Sequence, residues 1–228
     1  MRALTTRDWQ GQSHIPPTGA AIVISNHMSY ADAFFLAQFL YVNGRAPRFI
    51  GKRSVFDLPL IGRILHAAGQ IPVDRETAQA GRALDSAIAA IRVGHVIGIY
   101  PEGTLTRDEG LWPMVAKTGA ARLALITQAP VIPVAVWGPQ KVLPRYSKRV
   151  RLWPRTKVTM HAGEALDLSP WYGKEGDQQA LIEATAFMMK ALTKMLEEIR
   201  GESAPQVPLD SRAAGLPRTG NFKKAKKR

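Results

Sequence analysis

Short apolar runs alternate with longer segments of helical periodicity along the first 200 residues. Short runs rich in Ile and Val, bounded by Gly, Pro or polar residues, are typical of buried strands. The strands predicted in this way are residues 20–24, 48–50, 70–73, 95–100, 131–137 and 157–160. The helices predicted between and after them are residues 33–40, 58–68, 77–93, 118–127 and 178–200. This alternation predicts an α/β fold, a three-layer domain with a largely parallel central sheet flanked by helices.

One domain accounts for most of the chain. With 228 residues, of which 46% are apolar, the sequence is long enough to bury a sizeable core and short enough for a single domain. From Gly201 onward Pro, Gly, Ser, Arg and Lys dominate, and large apolar residues become few. We therefore expect a single domain over residues 1–200 and a basic, disordered extension over residues 201–228.

The chain is strongly basic, and its positive charge is concentrated. Lys and Arg number 31 against 18 Asp and Glu, which gives a formal net charge of +13. Two segments without acidic residues hold six basic residues each, namely Arg145, Lys148, Arg149, Arg151, Arg155 and Lys157, and Arg218, Lys223, Lys224, Lys226, Lys227 and Arg228. This balance favours an anionic membrane surface, nucleic acid or a phosphorylated substrate, and composition does not choose among them. A solvated charge run explains the second segment equally well.

The absence of cysteine excludes disulfides, thiolate nucleophiles and cysteine-based metal sites. No run approaches the roughly twenty apolar residues that span a bilayer, so no transmembrane helix is predicted. Residues 1–13 have no apolar core, and we expect no signal peptide there. The longest apolar segment, residues 33–42, is either buried in the core or partly laid into a membrane interface.

The most informative stretch joins the first predicted strand to the first predicted helix. His27 lies where that strand ends, and Asp32 follows five residues later. Ligands of α/β sheets usually bind beyond the carboxyl ends of strands, and a carboxylate there can hold an imidazole in one tautomer as a general base. The same letters also fit a capping box, in which Ser29 caps the helix and Asp32 reaches back to its backbone. Spacing alone leaves both interpretations open.

Four motifs in this order resemble those of the 1-acylglycerol-3-phosphate acyltransferase family, the glycerolipid and lysophospholipid acyltransferases. The first is NHMSYAD at residues 26–32, which matches the pattern N-H-x-S-x-x-D. The others are GQIPVDR at 69–75, YPEGT at 100–104 and VIPV at 131–134. The resemblance covers about residues 9–165 and implies a glycerol-3-phosphate acyltransferase-like fold.

The resemblance implies transfer of an acyl group from an acyl thioester, on coenzyme A or an acyl carrier protein, to a hydroxyl of a lysophospholipid. 1-Acylglycerol-3-phosphate would give phosphatidic acid. An alcohol is a weak nucleophile at neutral pH, so His27 would be the general base and Asp32 its orienting partner. The resemblance implies direct attack by the acceptor, without an acyl-enzyme on Ser29. No metal and no cofactor beyond the acyl donor is expected.

Substrate binding is expected from polar residues of the four motifs and their surroundings. Guanidinium groups match phosphate geometry, and glycine lets backbone amides approach an anion closely. The candidates are Asn26, Ser29, Lys52, Arg75, Glu102, Gly103, Thr104, Arg107 and Lys117. Glu102 is unsuited to direct phosphate contact, and we expect it to brace arginine or backbone groups. Leu105 stands where the family has an arginine, so phosphate binding would pass to Arg107, Arg75, Lys52 or Lys117, or the acceptor is another lysophospholipid or a glycolipid.

The expected partners are a lysophospholipid acceptor, an acyl thioester donor and an anionic membrane surface. We expect a peripheral protein on the cytoplasmic face of the cell membrane, with Phe34, Phe35 and Phe39 inserted and the basic segments attracted to headgroups. Two other classes are disfavoured. A nucleic-acid-binding protein would explain the charge, but no recognisable binding module accompanies it. A metal-dependent hydrolase would use His27 and Asp32 as ligands, but His66, His95 and His161 are isolated.

Overall fold

The computed structural model describes residues 5–73, 79–147, 149–151 and 153–217, and for residues 79–82 it describes the backbone alone. The predicted charges at Lys148 and at residues 218–228, and the motif residues Asp74 and Arg75, lie outside these ranges. The division into a domain over residues 1–200 and an extension stays a prediction. Within the extension, the Val115 amide donates to the carbonyl of Leu209 at 3.0 Å.

Seven strands form one sheet in the order β1, β7, β6, β2, β5, β3, β4. They are β1 Thr5–Gln10, β2 Ala21–Ser25, β3 Pro47–Lys52, β4 Ile71–Val73, β5 Val96–Ile99, β6 Val131–Trp137 and β7 Thr156–Ala162. The five strands from β6 to β4 run parallel to one another, whereas β7 pairs antiparallel with β6 and parallel with β1. The carboxyl ends of those five strands therefore share one edge of the sheet.

Seven α-helices accompany these strands in the described ranges. They are α1 Asp32–Val42, α2 Arg53–Phe56, α3 Pro59–Ala67, α4 Gln79–Arg92, α5 Gly119–Thr127, α6 Pro139–Val142 and α7 Gln178–Arg200. Two short 3-10 helices, Gln12–His14 and Ser169–Trp171, complete the regular structure of those ranges. None of the described helices is both long enough and apolar enough to cross a membrane.

The core lies on both sides of the sheet because the central strands β2, β5 and β6 are almost entirely apolar. In β2, Ile22 and Ile24 pack with α4, α5 and α7, whereas Ala21 and Val23 point to the other side and pack with α1. Strands buried on both faces read as continuous apolar runs, and this is why the sequence pattern located them. The side that carries α1 also carries the candidate site.

The predicted fold class is confirmed, but strand β1, helices α2 and α6 and the two 3-10 helices were not predicted. Strand β1 is polar at five of its six positions, and its pairing with β7 holds it in the sheet. Helices α2 and α6 have four residues each, which is too short for a helical period to show. The expected insertion of Phe35 and Phe39 into a membrane is wrong, because both are buried in the core, and Trp9 of β1 packs edge-on against Phe39. Phe34 is exposed.

Candidate active site

The predicted pairing of His27 with Asp32 is present in the structure. His27 lies just beyond the end of β2, and its Nδ1 lies 3.0 Å from Oδ2 of Asp32, the first residue of α1. A carboxylate accepts, so Nδ1 carries the proton, and Nε2 is the nitrogen left to take one. The imidazole is about one-sixth exposed, at 16%, while the Asp32 carboxylate is fully buried. The dyad thus has a covered carboxylate and an imidazole that solvent or a substrate can reach.

One oxygen of Asp32 holds the whole turn. Oδ2 also accepts the backbone amides of Met28 at 2.6 Å and Ser29 at 2.7 Å. The Ser29 contact is the reach-back to the backbone that the capping-box interpretation predicted, and the His27 contact is the predicted pairing, although Ala31 and not Ser29 is the N-cap of α1 and no side chain caps that helix. The two interpretations of Asp32 are therefore compatible, since the same oxygen satisfies both. Oδ1 of Asp32 is buried and, among the described residues, has no hydrogen-bond partner.

An aromatic stack positions the face of the imidazole. The rings of His27 and Tyr100 are nearly parallel with centroids 4.1 Å apart, and Phe49 of β3 lies parallel to Tyr100 at 6.2 Å. Phe49 reaches this place because Gly98 of β5 has no side chain, and a β-carbon there would lie 2.4 Å from the Phe49 ring. Burial, with a smaller contribution from the charge of Asp32, raises the pKa of Tyr100 well above its usual value. Tyr100 is thus neutral, and its ring covers one face of the His27 imidazole.

Glu102 is a buried acid that contacts backbone. Its Oε1 accepts the His27 amide at 3.2 Å, and its Oε2 accepts the Met114 amide at 3.0 Å. Burial raises the pKa of Glu102 to about 8, although the two amide hydrogen bonds act in the opposite direction. The carboxyl group ties the strand-to-helix turn of the dyad to the loop that follows β5.

The loop after β5 folds back onto the dyad. The Thr106 amide donates to the carbonyl of His27 at 2.6 Å, and the Arg107 amide lies 3.1 Å from the sulfur of Met114. The Thr106 carbonyl in turn accepts from the guanidinium of Arg145 at 2.5 Å. These contacts bring residues more than seventy positions apart in the sequence into one site.

Comparison with known proteins places this arrangement in a family. The family model described as Acyltransferase matches residues 7–137, which is more than half of the chain. The chain belongs to the acyltransferase family. The predicted resemblance to the 1-acylglycerol-3-phosphate acyltransferases is confirmed by relatives of that name. A chloroplastic 1-acyl-sn-glycerol-3-phosphate acyltransferase of Brassica napus is 28% identical over 172 residues, which are 75% of this chain and 46% of that protein.

Other relatives and a solved structure agree with this placement. The Bacillus subtilis protein of the same name is 24% identical over 82% of this chain and 88% of its own length. A crystal structure titled as the 1-acyl-sn-glycerophosphate (LPA) acyltransferase, PlsC, from Thermotoga maritima is 23% identical, covers 88% of this chain and 75% of that one, and superposes with a TM-score of 0.66. That likeness shows the fold. The chain spans about half the length of several of the relatives that it matches.

Two residues of the first acyltransferase motif contact protein backbone. Asn26 is clamped to Val136 of β6, since its Nδ2 donates to the Val136 carbonyl at 3.0 Å and its Oδ1 accepts the Val136 amide at 2.9 Å. Ser29 Oγ donates to the carbonyl of Leu143 at 2.6 Å and accepts the amide of Ala31 at 3.0 Å. Both side chains are fully engaged with scaffold, so they position the dyad loop.

The remaining described candidates lie either in the segment that follows β5 or at the end of β3. Gly103 lies under Lys117, whose Nζ would be 3.2 Å from a β-carbon at that glycine, and Thr104 follows it half-buried. Arg107 is buried, and its Nε and Nη2 make no hydrogen bond to any described residue. Lys52 is exposed at the end of β3, two strands away from β2. Arg75 lies outside the described residues.

Sequence reasoning missed Tyr100, Met114 and Arg145 as parts of the site. Tyr100 is the first residue of the third motif, and its stacking on the ring of His27 is seen only in the structure. Met114 and Arg145 have no motif of their own, and their contribution is a backbone amide and a long-range guanidinium contact. The one available signal was the position of Tyr100 at the end of a strand adjacent to that of His27.

Proposed function

We propose that this acyltransferase moves an acyl group from acyl-CoA or an acyl carrier protein to a hydroxyl of a lysophospholipid. The acceptor in the proposal is 1-acylglycerol-3-phosphate, and the product is phosphatidic acid. The observation that carries it is the His27–Asp32 pair at 3.0 Å beyond the end of β2. The names of the matched relatives support the choice of acceptor.

The proposed mechanism is general-base catalysis of direct acyl transfer. The acceptor oxygen attacks the carbonyl carbon of the thioester while its proton passes to Nε2 of His27. Asp32 holds the Nδ1 proton and stabilises the imidazolium that forms. The carbon–sulfur bond then breaks, and the departing thiolate takes the proton from His27. The ester and the free thiol leave, and the dyad returns to its initial state.

We propose that Arg107 binds the phosphate of the acceptor in place of the arginine that Leu105 replaces. Leu105 is buried and carries no charge, so that position cannot bind the phosphate. Arg107 is buried, and its Nε and Nη2 make no hydrogen bond to any described residue, so these buried donors are costly unless a ligand accepts from them. Burial raises the pKa of the neighbouring Tyr146, and the positive charges of Arg145 and Arg107 oppose this rise. Tyr30 of the first motif adds slightly to the rise. An anion bound beside Arg107 would lie next to the dyad loop. Lys117, Arg75 and Lys52 are the further candidates.

The site of action in the proposal is the cytoplasmic face of the cell membrane, with the protein bound peripherally. The acceptor and the product are lipids, and the basic segments would attract anionic headgroups by roughly 1 kcal/mol for each Lys or Arg close to the surface.

The experiment that tests the proposal is mass spectrometry of the products that the purified protein forms from mixed lysolipids and acyl thioesters. We expect a phospholipid with one additional acyl chain, formed from the phosphorylated acceptor and absent with His27→Ala. Release of free fatty acid without a new ester would identify a thioester hydrolase instead. Acylation of an unphosphorylated acceptor in preference would move the assignment to a glycolipid or a related lysolipid.

A further inference from the structure

Helix α3 exposes an apolar surface that no described residue covers. Of its nine residues only Gly62 is buried, whereas Leu60 is 70% exposed and Ile64 59%. Burying aliphatic side chains stabilises a fold, so a helix that leaves several of them in solvent forgoes that stabilisation. The exposed aliphatic residues of this region are Val55, Leu58, Leu60, Ile61 and Ile64. We refer to these five residues as the aliphatic surface.

The way α3 is attached keeps this surface away from the core. Gly62 packs directly on the backbone of α2, where a β-carbon would lie 1.9 Å from the carbonyl oxygen of Phe56. Phe56 in turn covers Gly51 of β3 and contacts the ring of His66. Helix α3 therefore rests on α2 through its small and aromatic residues, and its aliphatic side faces outward.

The aliphatic surface lies beside the dyad. Strands β2, β5 and β3 are neighbours and parallel, so His27, just beyond β2, and Lys52, the last residue of β3, lie at the same edge of the sheet, two strand spacings or about 10 Å apart. Phe49 and Gly51 point to one side of β3, since alternate residues share a face. Phe49 stacks toward Tyr100 and His27, and Phe56 covers Gly51, so α2 and α3 rise on the dyad's side of the sheet.

The charges around this surface favour one partner. Lys52, Arg53 and Arg63 are exposed beside it, against one acid, Asp57. Aliphatic residues bordered by cations match a membrane interface, in which acyl chains lie below anionic headgroups. A second copy of the chain, docked face to face on the same surface, would bring these cations together and is disfavoured.

We propose that the aliphatic surface docks this protein on an anionic phospholipid membrane, with Leu60 and Ile64 inserted below the headgroups. This inference rests on the proposed function, because a lipid acceptor gives the surface its purpose. Docking at this edge places the dyad's opening against the membrane, so that a lysophospholipid reaches His27 without crossing water. The membrane contact that Phe35 and Phe39 cannot make is thereby assigned to α3.

The test is sedimentation of the purified full chain with vesicles of phosphatidylcholine, with and without phosphatidylglycerol. Leu60→Ser/Ile64→Ser should lower the partition coefficient at least about tenfold, since two aliphatic insertions are lost. The matched control is Val93→Ser/Ile182→Ser, which removes two comparably exposed aliphatic residues, Val93 beyond the end of α4 and Ile182 on α7. It should bind as the unmodified chain does. Arg63→Gln should weaken binding to the anionic vesicles and leave binding to the neutral ones unchanged.

Equal loss of binding in the two double variants would overturn the proposal, as would wild-type binding by Leu60→Ser/Ile64→Ser. Concentration-dependent self-association that this variant abolishes, with vesicle binding unchanged, would assign the surface to a second copy. Acyl transfer to acceptor dispersed in detergent separates this inference from the proposed function. Vesicle binding that depends on Leu60 and Ile64, without acyl transfer in detergent, would support the docking surface and overturn the proposed function. Acyl transfer in detergent, with vesicle binding unaffected by Leu60→Ser/Ile64→Ser, would support the proposed function and overturn the docking surface.

Discussion

Asp32 Oδ2 lies 3.0 Å from His27 Nδ1 and is the same atom that accepts the amides of Met28 and Ser29. All three of these hydrogen bonds converge on one oxygen, and the other oxygen is buried without a partner among the described residues. An asparagine at position 32 could therefore keep every contact through its own oxygen. It would lose the charge and place its amide group where Oδ1 now lies.

The first prediction uses this geometry to separate charge from structure. Asp32→Asn should fold, with a loss of about 1–3 kcal/mol in the free energy of unfolding from its unsatisfied amide group. Its acyl-transfer turnover should fall about 10²–10⁴-fold, because the imidazolium is no longer stabilised. His27→Ala should lose at least as much. Turnover near that of the unmodified chain in a folded Asp32→Asn protein would leave Asp32 with its capping role alone.

The second prediction concerns the pH dependence of stability. The pKa of Glu102 is raised from 4.5 to about 8 in the folded state, so folding takes up a proton between these values. The free energy of unfolding should then fall as pH rises through this window, by at most about 5 kcal/mol from this residue. Glu102→Gln should remove that slope. It should also be less stable at low pH, because the NH₂ group of glutamine would face one of the two backbone amides that now donate to a carboxyl oxygen. Urea unfolding of the unmodified chain and of Glu102→Gln across the pH range measures the slope and the stability. Identical slopes of unfolding free energy against pH in the two proteins would contradict the prediction.

The third prediction tests the aromatic stack. Gly98→Ala should force Phe49 away from Tyr100, since the new β-carbon would lie 2.4 Å from its ring. We expect a loss of about 1–3 kcal/mol in the free energy of unfolding, together with reduced turnover as the Tyr100 ring beside His27 shifts. Gly119→Ala is the matched control, because a β-carbon there meets nothing within 4 Å. Thermal unfolding and turnover of the two variants give the comparison, and equal behaviour would contradict the role given to Gly98.

The fourth prediction concerns acceptor choice. If Arg107 binds phosphate, Arg107→Leu should lower kcat/KM for a phosphorylated acceptor about tenfold or more and leave its dephosphorylated analogue nearly unchanged, as expected for a lost charge-assisted hydrogen bond. Lys117→Met and Arg75→Ala measure the alternatives in the same assay. The variant with the largest drop in the ratio of the two kcat/KM values locates the phosphate site. No change with Arg107→Leu would pass the role to Lys117 or Arg75.

The fifth prediction concerns the two basic segments. Deleting residues 218–228 should weaken binding to anionic vesicles modestly, because a segment predicted from sequence to be disordered would lose conformational entropy on binding. Turnover on detergent-dispersed substrate should stay unchanged. Charge removal at Arg149 and Arg151 in the folded domain should have the larger effect at low salt and a smaller one as salt rises. Vesicle binding that does not change with salt concentration or headgroup charge would show that the two basic segments do not bind the membrane and serve another partner.

The sequence by itself determined the central strands and the dyad. Strands buried on both faces have to be apolar throughout, so β2, β5 and β6 are visible as Ile- and Val-rich runs. His27 and Asp32 are five residues apart across one turn, and local geometry alone brings them together. The four motifs were likewise readable, because each is contiguous.

Tertiary structure decided what depends on distant partners. Glu102 is held by amides of His27 and Met114, and its raised pKa follows from burial that no local pattern reveals. Strand β1 is polar at five of its six positions and is held in the sheet by its pairing with β7. Phe34 and Phe35 are adjacent and equally apolar, yet one is exposed and the other buried, because successive helical positions point about 100° apart and the sheet covers only one side. Exposure of the α3 aliphatic side was hidden for the same reason, since an apolar stripe in sequence does not say whether the fold covers it.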